Sequence, residues 1–372
     1  MTVDAESMGK RIAATRDRAG LTQANLASAV SLDRSALAKI ESGSRRVSAL
    51  ELARIAQAVG ERIEWFVEET PAAIVSHRNM AEPGAESPDI DRRVERIAWS
   101  VEFVTDRDGS FSLPSVPSLD RPRNTTEAEQ AAVEARRMLG VPDADPLVNL
   151  SATFAGLGVL AFSIDMGPNA ADAASILLAT GGVAIVNGHL RVGRRRLALT
   201  HELGHHLFAD DYTVDWRIDE KEDDQAWESR IDRFARALLL PAESVGRFWT
   251  DLREHGDSLR TTAIRTASRF RVDMSTLARR THELRLVGDS EASQIRKYRT
   301  TRADIVELNL VTSDELAPPS LPHTYEKAVL RLYRQETISA ARATDLLLDT
   351  WEEGDLPELA ELPESAIWDF IG

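Results

Sequence analysis

The densest chemistry in the sequence lies in His201-Glu202-Leu203-Gly204-His205. On a helix, positions i and i+4 share one face a turn apart, so both imidazoles can converge on one metal ion. Glu202 is rotated by about 100° from His201. That direction suits a general base acting on water at the metal rather than a third ligand. Leu197, Ala198 and Phe208 extend the histidine stripe, so the histidines should point inward. The motif is short, and alone it also fits two core histidines beside a surface glutamate.

A third ligand would decide between these readings. The chain has no cysteine, so that ligand must be histidine or a carboxylate. Downstream, WESRIDRFARALLLPAE has Ile231, Phe234, Ala235 and Leu238 at inward helical spacing. Glu228 falls on that buried face, where a carboxylate is costly unless paired or bound to metal. Asp224 and Asp232, four residues either side, share nearly the same face. His206 is off the ligand face and reads as a surface or supporting residue. Arg194-Arg195-Arg196 reads as a solvated helix start. The acid-rich DDYTVDWRIDEKEDDQAWE reads as a solvated loop, or as a rim selecting basic substrate segments. Tyr212 and Arg217 are the nearby groups able to stabilise developing negative charge.

These residues need a scaffold. Thr126 and Glu129 suggest a capping box opening a helix that Gly140 and Pro142 close. Three β-like runs follow at Gly158–Ile164, Ser175–Thr180 and Val183–Asn187, the last two joined by Gly181-Gly182 as a two-residue hairpin. Before them, the proline-rich stretch from Thr70 reads as a linker, interrupted by one packing helix over Arg92–Thr105. The tail from residue 289 is helical in places and carries no chemical motif.

The first 69 residues form a different unit. Thr22 caps a helix ending near Val30, Ser31-Leu32 makes a tight turn, and Asp33 can cap the helix RSALAKIES, ended by Gly43. Small Ala27 would let the second helix cross closely. A further helix starts at Ser48. Leu37 and Ile40 turn inward and leave Arg34, Ser35, Ala38 and Lys39 outward, as major-groove reading requires. The whole chain has 45 basic and 60 acidic residues over 372 positions, a net charge of −15. Between Gly9 and Gly60, however, nine cations face four anions, a local balance of +5 that leaves −20 for the remainder. That concentration is the electrostatic footprint of phosphate contact.

LTQANLASAVSLDRSALAKIESGSRRVSALELARIAQAVG resembles the XRE/lambda-repressor type of helix-turn-helix, departing at Ser31, where glycine is usual, and at Val47, where proline is common. The resemblance implies DNA contacts from Gln23, Arg34, Ser35 and Lys39, with Arg45 and Arg46 beside them. RRLALTHELGHHLFAD followed by ESRIDRFARALLLP resembles the ImmA/IrrE family of zinc-dependent metallopeptidases over about residues 127–286, departing at Ile231, bulkier than the alanine or cysteine usual there. That resemblance implies zinc held by His201, His205 and Glu228, with manganese a substitute in vitro, and Glu202 as the catalytic acid/base.

The expected fold is α+β and mostly helical. It comprises a four- or five-helix lambda-repressor-like domain (1–69), a linker with one helix (70–126), a zincin-like domain with a small sheet and the HExxH helix (127–288), and a helical accessory region (289–372). Absence of a signal-like N-terminus or a long apolar run leads to the expectation of a bacterial cytoplasmic protein without membrane contact, at the nucleoid when DNA-bound. The implied partners are double-stranded operator DNA, a protein substrate such as a helix-turn-helix repressor cut in cis or in trans during stress, and a second copy of the chain in a homodimer. The competing expectations are a non-enzymatic transcription factor with a ligand-sensing zincin-like domain, and a toxin–antitoxin-like regulator.

Overall fold

The structure is a computed structural model that describes residues 4–59, 63–67, 75–78, 88–208 and 221–359. Contacts divide the chain into two units, Met1–Ala72 and Ala73–Gly372.

The first unit contains α1 (Ala5–Arg18), α2 (Gln23–Ala29), α3 (Arg34–Glu41), α4 (Ala49–Val59) and α5 (Ile63–Val67). Its helices start where local chemistry satisfies the first free N–H groups. Asp4 accepts from the Ser7 amide at 2.7 Å and Thr22 from the Asn25 amide at 3.1 Å. Ser48 and Glu51 cap α4 reciprocally, through Ser48 N to Glu51 Oε2 at 2.9 Å and Glu51 N to Ser48 Oγ at 3.3 Å. Asp33 does not cap as expected: its side chain makes no cap bond, and its carbonyl takes the Leu37 amide at 3.1 Å. Ile12, Leu26, Val30, Leu37, Ile40, Ile55 and Phe66 form a self-contained core. Ser31 takes the left-handed φ of 57° that explains why glycine is usual in this turn.

The second unit is built on a four-stranded sheet of order β1-β3-β4-β2. The strands are β1 (Val75–Arg78), β2 (Val159–Ile164), β3 (Ala173–Leu177) and β4 (Gly182–Asn187). β3 pairs antiparallel with both β1 and β4, while β2 and β4 run parallel. The hairpin is longer than two residues: Leu177 pairs with Gly182, and the Leu178 amide closes a four-residue turn on the Gly181 carbonyl.

Helices cover both sheet faces. Before β2 come α6 (Pro88–Arg107), α7 (Thr125–Met138) and α8 (Leu150–Ala155). After β4 come α9 (Val192–Leu207), α10 (Lys221–Leu239), α11 (Ala242–Glu254), α12 (Leu259–Phe270) and α13 (Met274–Glu283). Last are α14 (Asp289–Lys297), α15 (Arg302–Glu307), α16 (His323–Arg334) and α17 (Ala340–Leu346). Strand side chains alternate between faces. Val159, Ala161, Ala173, Ala184 and Val186 pack with α7, α9 and α10, whereas Leu160, Phe162, Ala174, Ile176, Val183 and Ile185 pack with α6, α16 and α17.

Several sequence expectations change here. The stretch read as a linker before the packing helix expected over Arg92–Thr105 supplies the edge strand β1. The helix itself lies within α6, whose Val94, Ile97, Val101 and Val104 pack on the sheet's second face. The region read as accessory completes that same face through Tyr325, Val329 and Leu332, and Ser320 bridges to Ser163. Helix α7 is capped by Asn124, one residue before its start, not by Thr126. Glu129 is thereby free to pair with Arg280 and Arg233. Nor is the arginine triplet a solvated helix start throughout: Arg195 and Arg196 are buried, and only Arg194 is part-exposed. Arg194 holds Asp172 through two 2.8 Å bonds, Arg195 reaches Asp314, and Arg196 joins the carbonyls of Leu147 and Arg271 to Glu315. Three arginines thus fasten the start of α9 to surrounding loops.

Candidate functional site

Helix α9 runs between the sheet and α10 and is enclosed along its length; His201, Glu202, Gly204 and His205 are all buried. Two glycines set that enclosure. A Cβ on Gly182 of β4 would meet the His206 ring at 2.3 Å, so the ring lies directly on the strand backbone. A Cβ on Gly204 would meet Ile231 Cγ2 at 2.9 Å and Phe234 Cδ1 at 3.1 Å. Gly204 therefore supplies the room that bulky Ile231 takes up, and α10 approaches α9 closely despite it.

That approach brings the proposed ligands together. One ligand atom from each of His201, His205 and Glu228 lies within 4.8 Å of the others. The two Nε2 atoms face each other at 3.0 Å, and Glu228 Oε2 lies 3.1 Å from Nε2 of His201. Glu228 Oε1 is 3.6 Å from Nε2 of His205. Glu228 is less buried than its helical face implied: its side chain is 43% exposed, which leaves one side of the cluster open to solvent. Asp232 stands elsewhere, with Oδ1 3.0 Å from Nδ1 of His201. A carboxylate can only accept, so this bond places the imidazole proton on Nδ1 and presents the Nε2 lone pair to the cluster. Two imidazole nitrogens and a carboxylate oxygen form a donor set that fits zinc. Asp224 falls where side chains are not described, and Tyr212, Arg217 and most of the acid-rich segment lie outside the described residues.

Glu202 is fully buried on the sheet side of α9, and its Oε2 accepts a 2.6 Å bond from Ser175 Oγ on β3. Sequence reading missed Ser175. The signal available was its position in AASIL, where period two puts Ser175 on the same face as Ala173. His206 is also corrected. It is buried at the helix–sheet contact, and burial pushes its pKa down to about 4, so the ring packs there as a neutral group.

In the first unit, Arg34, Ser35, Lys39 and Arg46 are exposed around α3 and the turn after it. Gln23 is half-buried and engaged within the unit. Its Nε2 donates to Glu41 Oε2 at 2.7 Å, and Arg16 Nε donates to Glu41 Oε1 at the same distance. Arg45 pairs with Glu51 at 2.6 Å. The surface thus has four cationic or hydroxyl groups facing solvent and two polar groups already engaged in side-chain pairs. Among the described residues, no helix is long and apolar enough to cross a membrane.

Comparisons with known proteins agree with this division. Residues 12–66 match the helix-turn-helix family model, and residues 155–282 match the Peptidase M78 model, described as the IrrE N-terminal-like domain. No curated protein matches the chain. Among solved structures, a Mycobacterium tuberculosis transcriptional regulator is 18% identical, with TM-score 0.31, over 50% of this chain and 51% of that one. The chain thus spans about half the length of that regulator. Bacillus thuringiensis PlcR, solved with the peptide PapR7 and DNA, is 11% identical with TM-score 0.18 over 92% of both chains. The protein is accordingly a fusion of an XRE-type helix-turn-helix unit with an IrrE/ImmA-like peptidase-family domain.

Proposed function

We propose that the chain is a DNA-binding regulator whose second unit is a zinc-dependent endopeptidase acting on a regulatory protein, a helix-turn-helix repressor in cis or in trans. The observation that carries this reading is the convergence of His201, His205 and Glu228 beside a carboxylate on the same helix, Glu202, that is itself held by Ser175. A zinc ion, when bound, supplies Lewis acidity that brings the pKa of water towards neutrality. Glu202 takes the proton from the attacking water and delivers it to the departing amine. Asp232 keeps the His201 proton on Nδ1, and Ser175 holds the Glu202 carboxylate in one orientation.

On the DNA side, Arg34, Ser35, Lys39 and Arg46 present the contacting face, with Gln23 and Arg45 contributing once released from Glu41 and Glu51. Operators read by such units are two-fold symmetric, which suits a homodimer acting in the bacterial cytoplasm. The test is direct. Purified protein loaded with zinc or manganese is incubated with candidate helix-turn-helix repressors, beside the Glu202→Gln variant, and fragments are sought by mass spectrometry. Fragments that appear only with the wild type support the reading; intact repressors and an intact chain in both reactions defeat it.

A further inference from the structure

The edge of the sheet beside the candidate site is taken by the chain itself. β3 carries Ser175, whose hydroxyl holds Glu202, and β1 pairs antiparallel along the side of β3 away from β4. In that register Ser76 stands opposite Ser175, with Val75 opposite Ile176 and His77 opposite Ala174. β1 also lies against α9, the helix bearing both histidines and Glu202. Antiparallel partners sit about 5 Å apart at Cα. The backbone at Ser76 therefore passes within roughly 10 Å of the Glu202 carboxylate.

A sheet edge recognises extended peptides, since its free N–H and C=O groups pair with any added strand. An amide must also be extended and bare of helical hydrogen bonds before a hydrolytic site can reach it. Without β1, β3 would be such an edge, directly over the general base. β1 lies well outside the stretch matched by the peptidase-family model, residues 155–282. It also follows the helix-turn-helix unit in sequence.

We propose that residues 75–78 are a tethered occupant of the peptide-binding edge of the second unit. While β1 is paired, an extended segment of another protein cannot add to β3; once β1 leaves, that segment takes its place. This rests on the proposed peptidase function for its meaning, but its test needs no hydrolysis.

The probe is a fluorescein-labelled peptide of residues 72–81, added to full-length protein carrying Glu202→Gln so that nothing is cut. Binding is compared with and without Ser76→Pro and His77→Pro together, which remove at least one ladder donor whichever pair is hydrogen-bonded. The expected result is at least tenfold tighter binding to the proline variant, with faster hydrogen exchange at residues 173–177 that slows again when peptide is added. Replacement of residues 75–78 by Gly-Ser-Gly-Ser gives a second variant should the prolines disturb folding, judged by thermal melting. Equal binding with and without the substitutions, no binding to either variant, or unchanged exchange at residues 173–177 would overturn the proposal. Failure of the repressor-cleavage test with success here would remove the peptidase function and leave β1 as the cover of a peptide-binding edge.

Discussion

Asp232 and His201 are joined at the far side of the imidazole: Oδ1 lies 3.0 Å from Nδ1, while Nε2 meets Glu228 at 3.1 Å. Asp232 in turn lies 3.6 Å from Arg236 Nη1, so the orienting carboxylate has its own support. Supporting carboxylates of this kind typically change metal affinity about 10- to 100-fold. Asp232→Asn should therefore weaken zinc binding by that order, measured by competition with a chromophoric chelator. Glu228→Ala should weaken it much further. Equal affinity of wild type and Asp232→Asn would remove the orienting role.

Glu202→Gln keeps the shape of the side chain but loses the base. Proton transfer by a positioned side chain contributes roughly 10²- to 10⁴-fold, so fragment formation should fall by that order while zinc content stays unchanged. Ser175→Ala should fall less, about tenfold, since a hydrogen bond to a charged group is worth about 1.5 kcal/mol. Rates and metal content measured on the same preparations separate the two effects.

Gly204→Ala would place a methyl group where Ile231 Cγ2 and Phe234 already stand. Overpacking of this kind costs about 1–3 kcal/mol, and here it pushes α10, which carries Glu228. Thermal melts should show the loss and zinc titration a weaker site. Adding Ile231→Ala should restore zinc affinity, though not thermal stability, since it empties a fully buried side chain. A double variant that binds zinc no better than Gly204→Ala would mean that the gap between α9 and α10 is not set by this contact.

Burial alone would push the Glu129 carboxyl up, but the guanidiniums of Arg280 and Arg233 hold it below its ordinary value of 4.5. A depressed carboxyl stabilises the fold above its unfolded pKa and loses that contribution as pH falls through the folded value. Stability should therefore decline as pH drops below about 4.5. Glu129→Gln leaves the fully buried Arg280 with Glu283, 3.8 Å away, as its remaining carboxylate partner and should cost on the order of 3 kcal/mol at pH 7. Its denaturation curves should also change less between pH 7 and pH 3 than those of the wild type.

For the first unit, Arg34→Ala and Lys39→Ala should each weaken binding to an operator selected from random duplexes. If either side chain contacts phosphate, the slope of log affinity against log salt should fall by about one. Unchanged affinity and slope for both would place the reading face elsewhere on the unit.

Much of the site was legible because its chemistry is local. A four-residue histidine spacing fixes one helical face, and Glu228 could be placed on a second helix by the same periodicity. What the sequence hid was where that helix lies. Glu228 and Asp232 look equivalent at four-residue spacing, and only the packing of α10 on α9 turns one towards Nε2 and the other towards Nδ1. Ser175 and His206 were obscured for the same reason, since each is defined by a sheet–helix contact between distant stretches. The arginine triplet misled because charge normally signals solvent. Its carbonyl and carboxylate partners lie up to 119 positions away. In the first unit, Gln23 looked outward by resemblance, but Glu41 of α3 holds it.

The second face of the sheet imposes an order on synthesis. Leu160, Phe162 and Ile185 emerge from the ribosome long before Tyr325, Val329, Leu332 and Leu346, which cover them. The helix-turn-helix unit, by contrast, has its whole core within the first 66 residues. It can fold while the rest is still being made, whereas the second unit closes only when its last helices arrive. A ribosome stalled before α16 would therefore present a finished DNA reader attached to a half-bare sheet.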